Sequence, residues 1–434
     1  MALATNTTAP ALAAEDSASR RNYIFPFILV TCVFFLWGMA HNLDSILIPH
    51  LKKACQLDNR QSTLVDTAVF LAYFLMAIPA GMLLKKLGYK FSIIIGLVAF
   101  AAGAFLFIPA ASALSYGLFL VALFIIGCGL TILETAANPY AAVLGAPESA
   151  TTRLNLAASF NGLAAFVAPI IGTNLILSGK EYSAPQLAAM PDSTRLAYLA
   201  QEAAAVKMPY LTLGCVLLVV AVLFYFASLP EVKAQELEPS QGGGFFGVLK
   251  HKHLAWAVVA QFFYVGAQVC VTSFFIRMAK QGGGLDEKTA GYYLGVYGLL
   301  FMAGRFIGTA LLKYVSSQRL LSIYALISIA LCAVAVLGDG AYVIYALGGL
   351  GFFMSIMFPT IFSLGIAGLG SDTKPGSSWL VMSIVGGAIL PYLMGTVIDL
   401  RSDAIQVGYV IPLLCFVVIL FFGMYGYRVQ GRLV

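Results

Sequence analysis

Residues 230–252 read PEVKAQELEPSQGGGFFGVLKHK, a polar stretch with three successive glycines, Gly242, Gly243 and Gly244, set between two strongly apolar blocks. A segment of this composition has no apolar face to bury and reads as a linker. Before it, apolar runs fall at about 23–50, 62–84, 91–112, 116–145, 152–178 and 209–229. After it they fall at about 253–279, 289–312, 320–338, 341–366, 376–399 and 406–427. Each matches the roughly 20 residues that carry an α-helix across a bilayer. The fold class expected is therefore an all-α membrane protein of twelve spans in two six-helix bundles. The expected divisions are a tail 1–21, a bundle 22–229, the linker 230–252, a second bundle 253–428 and a tail 429–434.

Composition agrees. Of 434 residues, 60% are hydrophobic and 10% charged, whereas soluble domains are about one quarter charged. Most cytosolic enzymes and nucleic-acid-binding tails are excluded, and a β-barrel would show short alternating strands instead of long apolar runs. The bilayer is the expected partner, nucleic acid is not, and a monomer is expected. With the first residues placed in the cytoplasm, fourteen Lys and Arg fall in cytoplasmic loops and tails and ten fall outside. That bias favours a bacterial inner-membrane protein with both termini inside. Met1 to Ser19 has no apolar core, so no cleavable signal peptide is expected. The seven cysteines lack CxxC spacing, which suggests neither a disulfide framework nor a zinc site.

The informative residues are those that do not belong in lipid, where an ionised side chain costs about 2.5 to 3.5 kcal/mol at helix centre. Four stand within the spans: Asp44, Asp66, Glu134 and Arg305. Asp44 and Asp66 fall at similar depth in the outer half of antiparallel neighbours, where they can share one space. Glu134 lies about 15 Å from the cytoplasmic end of its helix, followed by Thr135, Asn138 and Pro139; the proline leaves the Thr135 carbonyl without its helical donor. A carboxyl starved of water is suited to travel protonated and to release its proton where the space opens to a more alkaline side. That makes Glu134, Asp66 and Asp44 candidates for proton coupling; the alternative is that each is neutral or paired and serves packing. Arg305 is read as reaching the interface or joining helices as readily as touching substrate.

Sugar recognition uses amide and hydroxyl hydrogen bonds together with aromatic faces. Candidates are Asn42, Asn138, Asn155, Asn161, Gln261, Tyr264, Gln268 and Trp379, with Glu134 as a further ligand. Gln261, Tyr264 and Gln268 follow i, i+3, i+7 spacing and share a helix face, although interhelical bonding would also explain them. Phe34, Phe35 and Trp37 are expected in packing or against lipid. His41 and His50 are read as polar residues near the outer mouth, without metal-ligand spacing. No P-loop, GxSxG or HExxH pattern is visible at a plausible site, so neither an ATP-driven pump nor a membrane hydrolase is expected.

The halves echo each other in Gly81 to Lys85 and Gly308 to Lys313, and in Pro169 to Thr173 and Pro391 to Thr396. With the linker they suggest a duplicated unit, the plan of major facilitator transporters, whose substrate sits between the halves at mid-depth. Several strings carry a closer resemblance: Phe34-Phe35-Leu36-Trp37-Gly38, Leu47-Ile48-Pro49-His50-Leu51-Lys52, Leu133-Glu134-Thr135-Ala136-Ala137-Asn138-Pro139, Arg153-Leu154-Asn155-Leu156-Ala157 and Pro359-Thr360-Ile361-Phe362-Ser363-Leu364-Gly365. Together they resemble the fucose permease branch of the major facilitator superfamily. The resemblance implies sugar import by proton symport, with Glu134 in proton coupling and sugar contact and Asn42 and Gln261 as sugar ligands.

The chain departs from that branch at Asn42-Leu43-Asp44-Ser45, where the acid stands one residue early, about 100° around the helix. Asp66 is a new acid, and Ala158, Ser159, Met357 and Phe358 replace polar ligands. The expected activity is proton-coupled import of N-acetylglucosamine, glucose or a related hexose by alternating access, without a cofactor. Sodium coupling is the main variant, since two acids at one depth suit a hard cation. Efflux and sugar sensing are the remaining alternatives.

Overall fold

The computed structural model describes residues 9–144, 150–179, 182, 184–227, 244–312, 314–369, 372–402 and 404–428. Among the described residues, twelve helices are long and apolar enough to cross a membrane: α1 (Tyr23–Ala54), α2 (Asn59–Leu84), α3 (Lys86–Ser112), α4 (Tyr116–Asn138), α5 (Leu156–Leu175), α6 (Asp192–Phe226), α7 (Lys252–Gln281), α8 (Glu287–Leu311), α9 (Ser317–Leu337), α10 (Gly340–Ile366), α11 (Ser378–Leu400) and α12 (Ile405–Gly426). Backbone groups in hydrocarbon must be satisfied within their own segment, which is why the apolar runs become helices.

Local chemistry sets the turns. Asp58 begins α2 with a capping box, its side chain accepting from the Gln61 amide while the Gln61 side chain accepts from the Asp58 N–H at 3.1 Å. Gly88, at φ +74°, breaks the otherwise continuous run from α2 into α3. Asp286 begins α8 by accepting from the Thr289 N–H at 3.1 Å. Those bonds from Thr289 hold the exposed Asp286 carboxyl below the usual carboxylate range. Inside the bundles, helices approach over glycine: a Cβ on Gly103 would stand 2.7 Å from the Ala122 carbonyl oxygen, and one on Gly129 would stand 2.6 Å from the Phe100 nitrogen.

At the end that carries Ala54, Asn59, Gln281 and Leu400, the two halves are sealed together. Along one seam α8 lies on α5, with Gly291 against Thr173 and Gly298 against the Ala165 carbonyl. Along the other α11 lies on α2, where a Cβ on Gly395 would stand 2.9 Å from the Arg60 Cα, and the Thr67 hydroxyl donates to the Ala388 carbonyl at 3.2 Å. Farther from this end α5 and α8 loosen, since a Cβ on Gly162 would meet Met302 only at 3.6 Å.

Several boundaries differ from expectation. The helix of α1 begins at Ala9, so much of the expected tail 1–21 continues the first span. The sixth span begins at Asp192 rather than near 209, because the amphipathic helix Asp192–Ala204 stacks almost directly onto Lys207–Phe226. Of the linker 230–252, residues 230–243 lie outside the described residues, as do 1–8 and the tail 429–434. Residues 244–250 form short helical turns ahead of α7. His50, four residues from Ala54 and so near the sealed end, is fully buried, and neither ring nitrogen meets a partner among the described residues.

α11 is interrupted by a 3-10 turn at Ser383–Val385, followed by Gly386, whose missing Cβ makes room for the Phe262 carbonyl of α7. Gly386→Ala should lower the melting temperature of purified protein, because an inserted methyl group in a packed interface costs about 1 to 3 kcal/mol. Gly81→Ala, at a helical site with nothing within 4 Å, should leave it unchanged or slightly raised. Differential scanning fluorimetry of the two variants in one detergent checks the contrast.

Candidate functional site

α2 supplies the central line of polar groups. Counting from Asn59 at 1.5 Å per residue, Asp66 lies about 10 Å from the sealed end and Tyr73 about 21 Å. Glu134 on α4, counted from Tyr116, lies about 27 Å from the same end. Tyr73 joins the upper and lower groups: its hydroxyl accepts from the Trp37 Nε1–H at 3.2 Å and lies close to the Glu134 side chain. Glu134 remains partly exposed. The result is a line from indole to phenol to carboxyl, with one side of the carboxyl left for solvent or ligand.

The other acids separate by what they face. Asp66 is 4% exposed, and on its far side are two groups of the second half, the Ser273 hydroxyl and the Arg277 guanidinium. Asp44 stands within electrostatic reach of Asp66, Tyr73 and Tyr210, all of the first half. Thus Asp66 bridges the halves and Asp44 does not. The one-residue displacement that turns the acid by about 100° accounts for this.

The amide candidates are unequally free. Asn42 donates to the Gly38 carbonyl at 2.7 Å and Asn138 to the Glu134 carbonyl at 3.0 Å, each within its own helix. Asn161 donates across to the Phe34 carbonyl of α1 at 3.3 Å. All three are partly exposed and keep an amide oxygen to offer, as does Gln268. Gln261 is fully buried, with neither amide atom partnered among the described residues. The Asn155 side chain lies outside the described residues.

Two expectations are corrected. Tyr264 does not offer a free hydroxyl: it is buried and donates to the Met354 carbonyl at 2.9 Å, tying α7 to α10. Trp379, in the first turn of α11, packs edge-on against Phe246 just ahead of α7 with ring centroids 5.6 Å apart. That contact places its ring at the start of α11, beside the segment that leads into α7. Conversely, Trp37 is no mere packing residue, since it positions Tyr73. Tyr73 itself escaped sequence reasoning. The available signal was its spacing of seven from Asp66, two helical turns along one face. Arg305 is exposed, with its guanidinium 5.1 Å from the Phe301 ring centroid.

A fold of two sealed half-bundles with acids along their boundary is that of a transport protein. The chain matches the Major Facilitator Superfamily over residues 27–376 and belongs to it. It is 42% identical to the L-fucose-proton symporter of Escherichia coli strain K12, with 95% of each chain covered. It is 40% identical to a glucose/galactose transporter of Brucella abortus, covering 95% of this chain and 96% of that one. The crystal structure of the E. coli fucose:proton symporter in the outward conformation superposes with TM-score 0.69 at 42% identity, over 93% of this chain and 99% of that one. A bacterial homologue of the lysosomal transporter Spinster, inward-facing and occupied, superposes with TM-score 0.73 at 14% identity over 93% and 97% of the chains, a likeness of fold.

The two buried polar groups of α7 make opposite expectations. Tyr264→Phe should destabilise the protein by about 1 kcal/mol, because it orphans the Met354 carbonyl. Gln261→Leu should leave the unliganded protein as stable or more so, since it removes an amide that has no partner. Thermal unfolding of both variants without ligand distinguishes them.

Proposed function

We propose that the protein imports a neutral hexose together with protons across a bacterial inner membrane, by alternating access of a site between the halves. The observation that carries this is Glu134: a carboxyl about 27 Å from the sealed end, beside Tyr73 and partly exposed. Nothing in lipid tolerates such a group unless it faces the protein interior or water. The relatives named above, a fucose-proton symporter and glucose/galactose transporters, support sugar and proton as the two cargoes. Glu134 is assigned the proton and contact with the sugar. Asn42, Asn138, Asn161, Gln261 and Gln268 are assigned sugar hydrogen bonds, with Gln261 the strongest candidate because a ligand would satisfy its amide.

Charge asymmetry supports the orientation: ten Lys and Arg at the sealed end against fourteen at the other put the seal outside. The described state is then the inward-facing one. Proton rather than sodium coupling is favoured by the fucose-proton symporter among the relatives. Replacement of polar ligands by Ala158, Ser159, Met357 and Phe358 favours glucose or an acetylated hexose such as N-acetylglucosamine over fucose.

A thermal-shift screen of purified protein with glucose, galactose, fucose, N-acetylglucosamine and sucrose tests the substrate; stabilisation by none of them would overturn the hexose assignment. In proteoliposomes with an imposed pH gradient, Glu134→Gln should lose uphill accumulation while retaining sugar exchange. Asp66→Asn should reduce accumulation more than Asp44→Asn does. Exchanging Na⁺ for choline at constant pH should not change uptake, and a requirement for Na⁺ would reassign the coupling ion.

A further inference from the structure

The sealed end is closed by more than glycine packing, and one side chain carries much of the rest. Asn59, the first residue of α2, is fully buried between the halves. Its Nδ2–H donates to Asp399 Oδ1 on α11 at 2.8 Å. Its Oδ1 accepts from Arg277 Nη1 on α7 at 2.9 Å and from Lys52 Nζ on α1 at 2.6 Å. Asp399 also accepts the backbone N–H groups of Asn59 at 3.0 Å and of Arg60 at 2.8 Å. Arg277 reaches on to the Ser62 hydroxyl at 3.1 Å, and its guanidinium carbon lies 3.9 Å from the Phe274 ring centroid.

One neutral amide therefore answers an anion on one face and two cations on the other. Only an amide does this at that size, since a carboxyl would face Asp399 with a like charge and an alkyl group would leave all three partners unmatched. A second charged tie lies beside it. Lys53 pairs with Glu287 of the second half at 3.3 Å and with Glu202 at 2.9 Å.

We propose that Asn59 is the keystone of the outer gate, a positioning residue whose amide holds α7 and α11 against α2 while the inner side is open. This rests on the alternating-access reading given above. It further assigns Asp399 and Arg277 as its gate partners, with no role in contacting the sugar. In the opposite state α11 and α7 must leave α2, so these hydrogen bonds break together. Charge-assisted hydrogen bonds of this kind are short and directional, which lets the gate close in one register.

The test is a pulsed electron paramagnetic resonance distance between spin labels at Gln56→Cys and Ser402→Cys, two exposed positions in opposite halves. The background is full-length protein with its native cysteines replaced. The parent should show a short, closed-gate distance. Asn59→Asp and Asp399→Asn should each shift the closed-to-open ratio toward a longer distance by about tenfold, the scale of one lost charge-assisted hydrogen bond. The double variant should recover part of the short-distance population. In it the amide nitrogen at position 399 donates to the carboxylate at position 59, which still accepts from Arg277 and Lys52, and the amide oxygen keeps the Arg60 N–H, while the backbone N–H of residue 59 loses its acceptor. Single variants that keep the parent distance, or a double variant no more closed than the singles, would overturn the proposal. Should Asn59→Asp not insert, Asn59→Ala and Arg277→Gln are read in the same way. Absence of sugar uptake by the parent would defeat the transport reading, while the distances would still decide the gate.

Discussion

Water is missing from the hydrocarbon interior, so every polar atom placed there must find its partner in the protein or turn toward a wet space. The distribution of side chains follows from that constraint. Hydroxyls are settled cheaply within their own helices, as Thr31 on the Phe27 carbonyl, Thr131 on Gly127 and Thr360 on Ile356, all at 2.7 to 2.8 Å. Tyr264 is settled between helices on Met354. Charges require more. Lys53 takes two carboxylates, Arg277 takes Asn59, Ser62 and the face of Phe274, and Asp66 lies within electrostatic reach of Arg277. Among the described residues some buried polar atoms stay unpartnered, the Gln261 amide and the His50 ring among them.

The same constraint explains why the halves join by two different chemistries. Between α5 and α8 the seam is mainly small residues and close backbones, with Gly291 and Gly298 giving room to Thr173 and Ala165, and one side-chain hydrogen bond from the Tyr292 hydroxyl to Asn174 Oδ1 at 2.8 Å. Such close contacts depend on shape, and lipid tails can replace them at little cost. Between α2 and the pair α7 and α11, Gly395 gives similar room, and the seam adds the network of Asn59, Arg277 and Asp399. Those hydrogen bonds have no lipid substitute, so their only alternative is water entering from the end of the bundle. A polar seam therefore belongs at the mouth, and a glycine seam can run deeper.

The twelve spans and their grouping were legible because hydrophobic length is written directly into composition, and the central polar stretch separates the two blocks. Asp66 and Glu134 were legible for the converse reason, that a charge within such a run is costly enough to demand a cause. What escaped was contextual. Tyr73 and Trp37 look like ordinary aromatic filling, and only the contact between the indole N–H and the phenol oxygen separates them from the rest. Asn59 lies beyond the apolar run of the second span, where a polar residue needs no explanation. Tyr264 erred the other way: its face was inferred correctly as shared with Gln261, yet a shared face does not say which neighbour the hydroxyl meets. The early start of the sixth span was hidden because Asp192–Ala204 is amphipathic rather than uniformly apolar.

Asn59, Asp66 and Tyr73 are spaced by seven residues along α2. A straight α-helix drifts by about 20° per heptad, so the three side chains stay within about 40° of one line. The first is bonded to both helices of the other half that close the gate, the second faces Arg277 on one of them, and the third lies close to Glu134. Only the single turn residue Thr63 separates the helical turn Asn59–Ser62 from the helix that begins at Leu64, so displacement of the first turn is passed to the carboxyl of Asp66 across one joint. Tyr73 lies farther from the gate and is anchored to Trp37 within its own half, so it can stay beside Glu134 while the first turn moves. A helix jointed at Thr63, with one end clasped to the opposite half and the other anchored in its own half, converts a rocking motion into a change of electrostatic surroundings at Asp66. On this reasoning the two acids have unlike roles. Under the proposed transport reading, Glu134 keeps its neighbours through the cycle and meets the cargo, whereas Asp66 changes neighbours and registers which way the bundle is open.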